Sequence, residues 1–225
     1  MTFNEDSRVK IPAILHLCRL GYTYIPKSKQ DRLEDNNIFP DIFKRSISKT
    51  NPDISEDEVQ RLLTDVSLKL NYDDLGREFF RMLMNTSGTR LIDFENFNNN
   101  EFHVTTELTC KKGDEEFRPD ITVLINGMPL VFIEVKKPNN REGVIAERNR
   151  INRRFALKDF KAFTNITQLM LFSNNMEYED GVVEPIMGAY YATPSKDGVM
   201  FNYFREEELL NYTHPLKPAN EELPH

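Results

Sequence analysis

The chain has 225 residues, 39% of them hydrophobic and 16 of them Phe, which is enough to fill the core of one large domain or two small ones. No run approaches the roughly 18 to 20 apolar residues of a membrane span, and the polar start MTFNEDSRVK lacks an apolar secretory segment, so a cytoplasmic home is expected. A net charge of −7 argues against a surface that attracts nucleic acid throughout, and Cys18 and Cys110, without CxxC or Cys/His spacing, read as small core residues rather than zinc ligands.

In chain order, residues 8–20 place Ile11, Ile14, Leu15 and Cys18 at helical spacing, with Pro12 early and Gly21 just past the end, predicting an amphipathic helix. Tyr22 to Ile25 reads as a short extended piece. A second helix is expected near 36–49, stopped before Asn51-Pro52. Ser55 followed by Glu58 is a capping box ahead of Val59, Leu62, Leu63 and Val66, and a fourth helix is expected over about 72–84 through Leu75, Phe79, Met82 and Leu83. After Gly88 the period changes. Arg90 to Phe94 looks extended, Asn-rich 96–100 is a turn, and Phe102 to Cys110 reads as one strand ending at a Lys112-Gly113-Asp114 turn. Two apolar strands joined at Asn126-Gly127 follow over 120–136, then a basic helical segment over about 143–163 with Ile145, Ile151, Phe155, Phe160 and Phe163 as its apolar positions. TQLMLFS at 167–173 is a buried strand, and strand–helix–strand in this order implies a parallel pair. A weaker strand pair is expected at Met187–Ala192 and Val199–Phe204. The expected fold is α/β, a mixed central sheet flanked by helices, in one domain over residues 1–210 with its core at about 70–175 and a tail or linker over 211–225.

The chemistry concentrates in RPDITVLINGMPLVFIEVKK, residues 118–137. Along the second strand Val131, Ile133 and Val135 form one face, while Leu130, Phe132, Glu134 and Lys136 form the other. Charged groups at the ends of buried strands are costly to place there without a use. Asp120 joins Glu134 and Lys136 on one face only if paired residue numbers add to an even sum, and this predicts a three-residue loop with Gly127 as a left-handed bulge in place of a two-residue turn. Two carboxylates converging from neighbouring strands suit Mg2+, with Mn2+ as an alternative and the Val135 carbonyl as a further ligand. Lys136 is then placed to orient an attacking water and stabilise charge on a phosphorane. Glu-x-Lys occurs once in the chain, and of three Pro-Asp pairs, at 40, 52 and 119, only Pro119-Asp120 opens a strand leading into it. Between Lys136 and Lys161 nine Lys and Arg stand against three acids, so DNA contact is expected there, with Lys137, Arg148, Arg150, Arg153 and Arg154 as candidates. His16, His103, His214 and His225 have no partners at useful spacing.

RPDITVLINGMPLVFIEVKKPNN resembles the PD-(D/E)XK nuclease signature, and more narrowly the amino-terminal nuclease domain of the restriction (R, or HsdR) subunit of type I restriction enzymes. RLGYTYI, RLIDFENFNNNEF and QLMLFSNN also look like that family, so the resemblance spans about residues 8–175. It implies a restriction-endonuclease-like core with extra N-terminal helices and a Mg2+-dependent endonuclease module that cuts double-stranded DNA, with Asp120 and Glu134 as metal ligands and Lys136 as the catalytic lysine. It also implies partners: modification and specificity subunits, and ATP-driven helicase domains of the same subunit, for which this chain carries no GxxxxGK[ST] loop. The family's Gln-x-x-x-Tyr aligns with Arg150-Ile-Asn-Arg-Arg154, where arginine can still reach phosphate. Glu34, Asp41 and Glu78 are all possible upstream acidic residues, and none is assigned. The rival expectation is a non-catalytic module that grips DNA or docks subunits. A stand-alone repair or junction nuclease of the same superfamily is a third.

Overall fold

The computed structural model describes residues 5–112, 115–137, 140, 143–156, 160–174, 176, 189–193 and 202–203. A wide helical turn, Asp6–Lys10, runs into α1 (Ile11–Arg19), followed by β1 (Thr23–Ile25), α2 (Pro40–Thr50), α3 (Glu56–Lys69) and α4 (Arg77–Leu83). Then come β2 (Phe102–Thr106), β3 (Cys110–Lys112), β4 (Glu115–Phe117), β5 (Ile121–Ile125) and β6 (Met128–Val135). The order closes with α5 (Gly143–Ala156), α6 (Lys161–Ile166), β7 (Leu169–Ser173), β8 (Ala189–Ala192) and β9 (Asn202–Tyr203). Seven strands form one mixed sheet in the order β1-β2-β5-β6-β7-β8-β9, parallel at β1/β2 and β6/β7 and antiparallel elsewhere, while β3 and β4 pair separately. This is the expected α/β class with a mixed, helix-flanked sheet, consistent with a restriction-endonuclease-like core. Among the described residues no helix is long and apolar enough to cross a membrane.

The sheet is covered on both faces because alternate side chains of its central strands are apolar on both. On one face Val9, Ile14, Leu17 and Cys18 pack on Val104, Ile121, Ile133 and Val135. On the other, Val144 and Ile151 of α5 pack on Phe132, Met170, Phe172 and Tyr190. Ile38, Phe43, Ile47, Val59, Leu63, Val66 and Phe79 of the helical segment gather over Met128 and Leu130 at the turn end of β5/β6. The Ser55–Glu58 capping box forms as expected, with the Ser55 hydroxyl accepting from Glu58 N and the Glu58 carboxylate accepting from Ser55 N.

Several elements depart from the sequence reading. In α1, Ile14 and Cys18 face inward as expected, but Ile11 and Leu15 are exposed and Ala13 and Leu17 replace them, a rotation of the inner face by part of a turn. The fourth helix starts late, at Arg77, because Leu75 and Gly76 take left-handed conformations with φ of 55° and 79° and Asp74 caps from outside, accepting from Gly76 N and Glu78 N. Arg90–Phe94 is not a strand. Leu91 and Ile92 are buried there as irregular backbone, and the Asp93 carboxylate accepts from Glu95 N and Asn96 N to start the Asn-rich turn. The single strand expected over 102–110 breaks at Glu107, whose φ is 50°, and the chain resumes in β3. The Gly113-Asp114 turn and the 211–225 tail lie outside the described residues, as does most of the weak C-terminal pair, of which β8 and β9 are described and do pair.

The hairpin answers the register question in an unexpected way. Asn126 and Gly127 form a two-residue turn, both left-handed at φ 51° and 77°, with Ile125 opposite Met128 and Leu124 opposite Pro129. The predicted three-residue loop is therefore wrong. One residue further the register shifts, so that Val123 faces Val131, Thr122 faces Phe132 and Ile121 faces Ile133, an even sum. The extra residue is Leu130, inside the strand, and its carbonyl accepts from Gln168 N at the entry to β7 at 2.8 Å. Side-chain parity thus holds at Asp120, reached by a strand bulge instead of a bulged turn. Only glycine fits at position 127, where a Cβ would stand 2.7 Å from both Phe39 O and Phe43 N.

Candidate active site

Asp120 precedes β5 by one residue, and the shifted register sets it beside the end of β6. Its Oδ2 accepts a hydrogen bond from Val135 N at 3.0 Å. Main-chain N–H and C=O of one strand residue project to the same edge, so the Val135 carbonyl also faces the Asp120 side, while Lys136 N turns the other way and donates to Ser173 O at 2.8 Å. Glu134 and Lys136, two residues apart, share a face as expected, and the Lys136 ammonium donates to Glu134 Oε1 at 2.8 Å. The same ammonium lies 3.9 Å from Asp120 Oδ2. Asp120, Glu134, Val135 and Lys136 are therefore brought together at the end of β6.

Two groups that the sequence reading did not single out complete the cluster. Lys10 reaches in from the turn ahead of α1 and places its ammonium 3.4 Å from Asp120 Oδ1, 3.1 Å from Asp6 and 3.4 Å from Glu107, and Glu107 is also paired with Lys27. Burial draws the Lys10 pKa down, but the Asp6 bond and the charges of Asp120 and Glu107 outweigh it and push it up to about 12. Glu147, on the inner face of α5, lies 3.6 Å from Lys136 Nζ, 3.0 Å from Arg150 Nη1 and 3.7 Å from Arg154 Nη1. Its signal was a carboxylate in the stripe Val144, Glu147, Ile151, hidden by taking Ile145 as the inward position; Val144 is the buried one, at 1% exposure. The upstream candidates lie elsewhere in the contact pattern. Glu34 and Asp41 are exposed, and Glu78 pairs with Arg77 and Arg81.

Of the five residues considered for DNA contact, Lys137, Arg150 and Arg153 are exposed and Arg148 is partly so. Arg154 is turned inward, over the Phe117 ring at 4.1 Å and toward Glu147, and burial lowers its pKa. The arginine pair aligned with Gln-x-x-x-Tyr therefore straddles a buried carboxylate, with one member at the surface and one inside.

Burial pushes the Glu134 carboxyl up to about 8, with the charges of Asp120 and Glu147 adding to the effect and Lys136 opposing it. In the unfolded chain the group ionises in the ordinary carboxylate range, so between that range and about pH 8 the folded chain holds a proton that the unfolded chain has lost. Stability carried by this proton is present at low pH and lost as pH rises. In EDTA, the Tm of the chain should fall between pH 5.5 and 8.5, and Glu134→Gln should flatten that slope; equal slopes for the two proteins would contradict the assignment.

Among the described residues no three His, Cys, Asp or Glu side chains form a cation cage by themselves. The donor set at the end of β6 is instead two carboxylates and a main-chain carbonyl, which suits a cation that binds one or two carboxylates and keeps several waters. A carboxylate as buried as Glu134, beside two others, is relieved by a cation.

The family described as type I restriction enzyme R protein N terminus matches residues 2–179, through the first helix, the hairpin, the site, α5 and β7. The chain belongs to this family. Among its relatives are a putative type I restriction enzyme MjaIXP endonuclease subunit of Methanocaldococcus jannaschii, 28% identical over 79% of this chain and 19% of its own length, and the HindI endonuclease subunit of Haemophilus influenzae, 24% identical over 65% of this chain and 15% of its own. The SauCOLORF180P endonuclease subunit of Staphylococcus aureus is 28% identical over 79% of this chain and 19% of its own length. The chain thus spans about a fifth or less of the relatives it matches, all of them named endonuclease subunits. In this R-protein N terminus, the matched region contains every candidate site residue together with Lys10 and Glu147.

Proposed function

We propose that this chain is the endonuclease module of a type I restriction R subunit and hydrolyses phosphodiesters of double-stranded DNA with Mg2+. The observation that carries the reading is the convergence of Asp120 and Glu134, from paired strands, on one ammonium, Lys136, beside the Val135 carbonyl. Asp120, Glu134 and the Val135 carbonyl would hold the ion, and Mn2+ would fit the same oxygens. Bound there, it would polarise a phosphate oxygen and lower the pKa of a water. Lys136, largely buried, would orient the attacking water and meet the negative charge that develops on the phosphoryl oxygens. Its pKa is raised in the cation-free site: burial opposes this, and Glu134, Glu147 and Asp120 outweigh burial and favour the ammonium form.

The exposed Lys137, Arg150 and Arg153 offer phosphate contacts beside the site, a small footprint that suits a module brought to DNA by others. The ATP-driven helicase domains of a full-length subunit would feed the duplex, and modification and specificity subunits would supply the address, in the cytoplasm. The lengths of the relatives support this reading, since most of each lies outside the part that this chain matches.

The test is incubation of supercoiled plasmid with the chain in Mg2+ or in EDTA. Nicked or linear product should appear with Mg2+ alone. Plasmid bound but uncut under both conditions would favour a module that grips DNA or docks subunits without catalysis.

A further inference from the structure

Glu147 is a buried carboxylate with an unfilled role. It is 1% exposed, sits in the apolar stripe of α5, and neither of its oxygens accepts a hydrogen bond among the described residues, although three cations surround it. A carboxylate so placed is costly unless its acceptor capacity is used at some stage. Two of its cations are held in place. Arg154 stacks on Phe117, and Arg150 is the i+3 neighbour on the same helix. The third, Lys136, is on a flexible four-carbon stem and has three carboxyl groups around it: Glu134 at 2.8 Å, Glu147 at 3.6 Å and Asp120 at 3.9 Å. Only the first is a hydrogen bond.

A cation bound by Asp120 and Glu134 would draw on the same carboxylate oxygens that now serve Lys136. The ammonium, itself largely buried, would then need another anion, and Glu147 is the one with both oxygens unfilled. We propose that Glu147 is a positioning residue that receives Lys136 when Glu134 turns to a divalent cation, so that the lysine stays charged and in place without competing for the cation's ligand. This rests on the cation reading of the site above. Arg150 and Arg154 keep the receiving carboxylate from following the lysine.

The role is tested with a double-mutant cycle on the whole chain, read by calorimetric titration with Mn2+ and requiring no cleavage. Without Glu147, Lys136 remains on Glu134 and competes, so Glu147→Gln should weaken Mn2+ binding about tenfold, and Glu147→Asp should weaken it less. In a Lys136→Ala background the competitor is gone, and Glu147→Gln should change affinity by no more than about threefold. Equal weakening in both backgrounds would mean that Glu147 acts on the cation directly and would overturn the proposal, as would unchanged affinity on the wild-type background. A wild-type chain that binds no Mn2+ would remove the cation reading itself, an outcome distinct from either. Should Glu147→Gln fail to fold, the cycle is run with Glu147→Asp, for which the same contrast between backgrounds is required.

Discussion

Lys136→Ala is expected to lower Mg2+-dependent cleavage of duplex DNA by about 10^2- to 10^3-fold, the range associated with losing a positioned proton-transfer or charge-stabilising group. The lysine is the one cation within 4.0 Å of all three carboxylates Asp120, Glu134 and Glu147 among the described residues, so no neighbour takes over its place. Lys10 approaches Asp120 from the other oxygen, Oδ1. Duplex affinity should change little, because the exposed Lys137, Arg150 and Arg153 remain. Removing the ammonium leaves Glu134 and Glu147 with less compensation, so the variant is compared at matched folded fraction, with Lys136→Met as a bulkier control. Single-turnover cleavage within threefold of wild type would show that the lysine is not part of the chemistry.

A second large effect is expected on stability, at the far end of the same hairpin. Asn126 is fully buried in a left-handed conformation, and its side chain donates to Leu91 O at 2.8 Å and Asn100 Oδ1 at 2.9 Å while accepting from Glu101 N at 2.8 Å. It pins the turn to the irregular segment that replaces the expected strand at 90–94. Asn126→Ala strands those partners and places an ordinary side chain at positive φ, which together should cost about 3 to 4 kcal/mol. For a chain of this size that is a fall in Tm of roughly 10 °C. Urea unfolding of the two proteins measures it, and a loss below about 1 kcal/mol would contradict the role given to this residue.

The hairpin was legible because its chemistry is written at short range. Apolar residues alternate along β6, a Pro-Asp opens β5, and Glu134 and Lys136 fall two apart, so Asp120 could face them only if one extra residue brought the paired numbers to an even sum. Where the extra residue would sit was not legible. Asn126-Gly127 satisfies a two-residue turn by itself, and the bulge at Leu130 depends on Gln168, a long-range partner in the next strand pair. The break in β2 is of the same kind. Nothing in FHVTTELTC marks Glu107 as a left-handed residue, and its carboxylate is held by Lys10 and Lys27 from the N-terminal segment. Glu147 was missed by a register of one residue along α5. Choosing Ile145 over Val144 rotates the inferred inner face by about 100° and sends the carboxylate to solvent. Capping, by contrast, is a local matter, and Ser55–Glu58 was read correctly.

These departures alter the picture of the site more than its membership. Asp120, Glu134, Val135 and Lys136 converge, but they do so inside a ring of further charges, with Lys10 on one side of Asp120 and Glu147 with its two arginines behind Lys136. The basic helix expected to face DNA spends part of its charge on Glu147, through Arg150 and Arg154, which leaves fewer unengaged cations on the helix than composition suggested.

The most direct test is calorimetric titration of the chain with Mg2+ at pH 8, alongside Asp120→Asn and Glu134→Gln. The two carboxylates are predicted to hold a single class of Mg2+ site that disappears in both variants. Undiminished Mg2+ binding by either variant, or no binding by the wild-type chain, would contradict a cation held between β5 and β6.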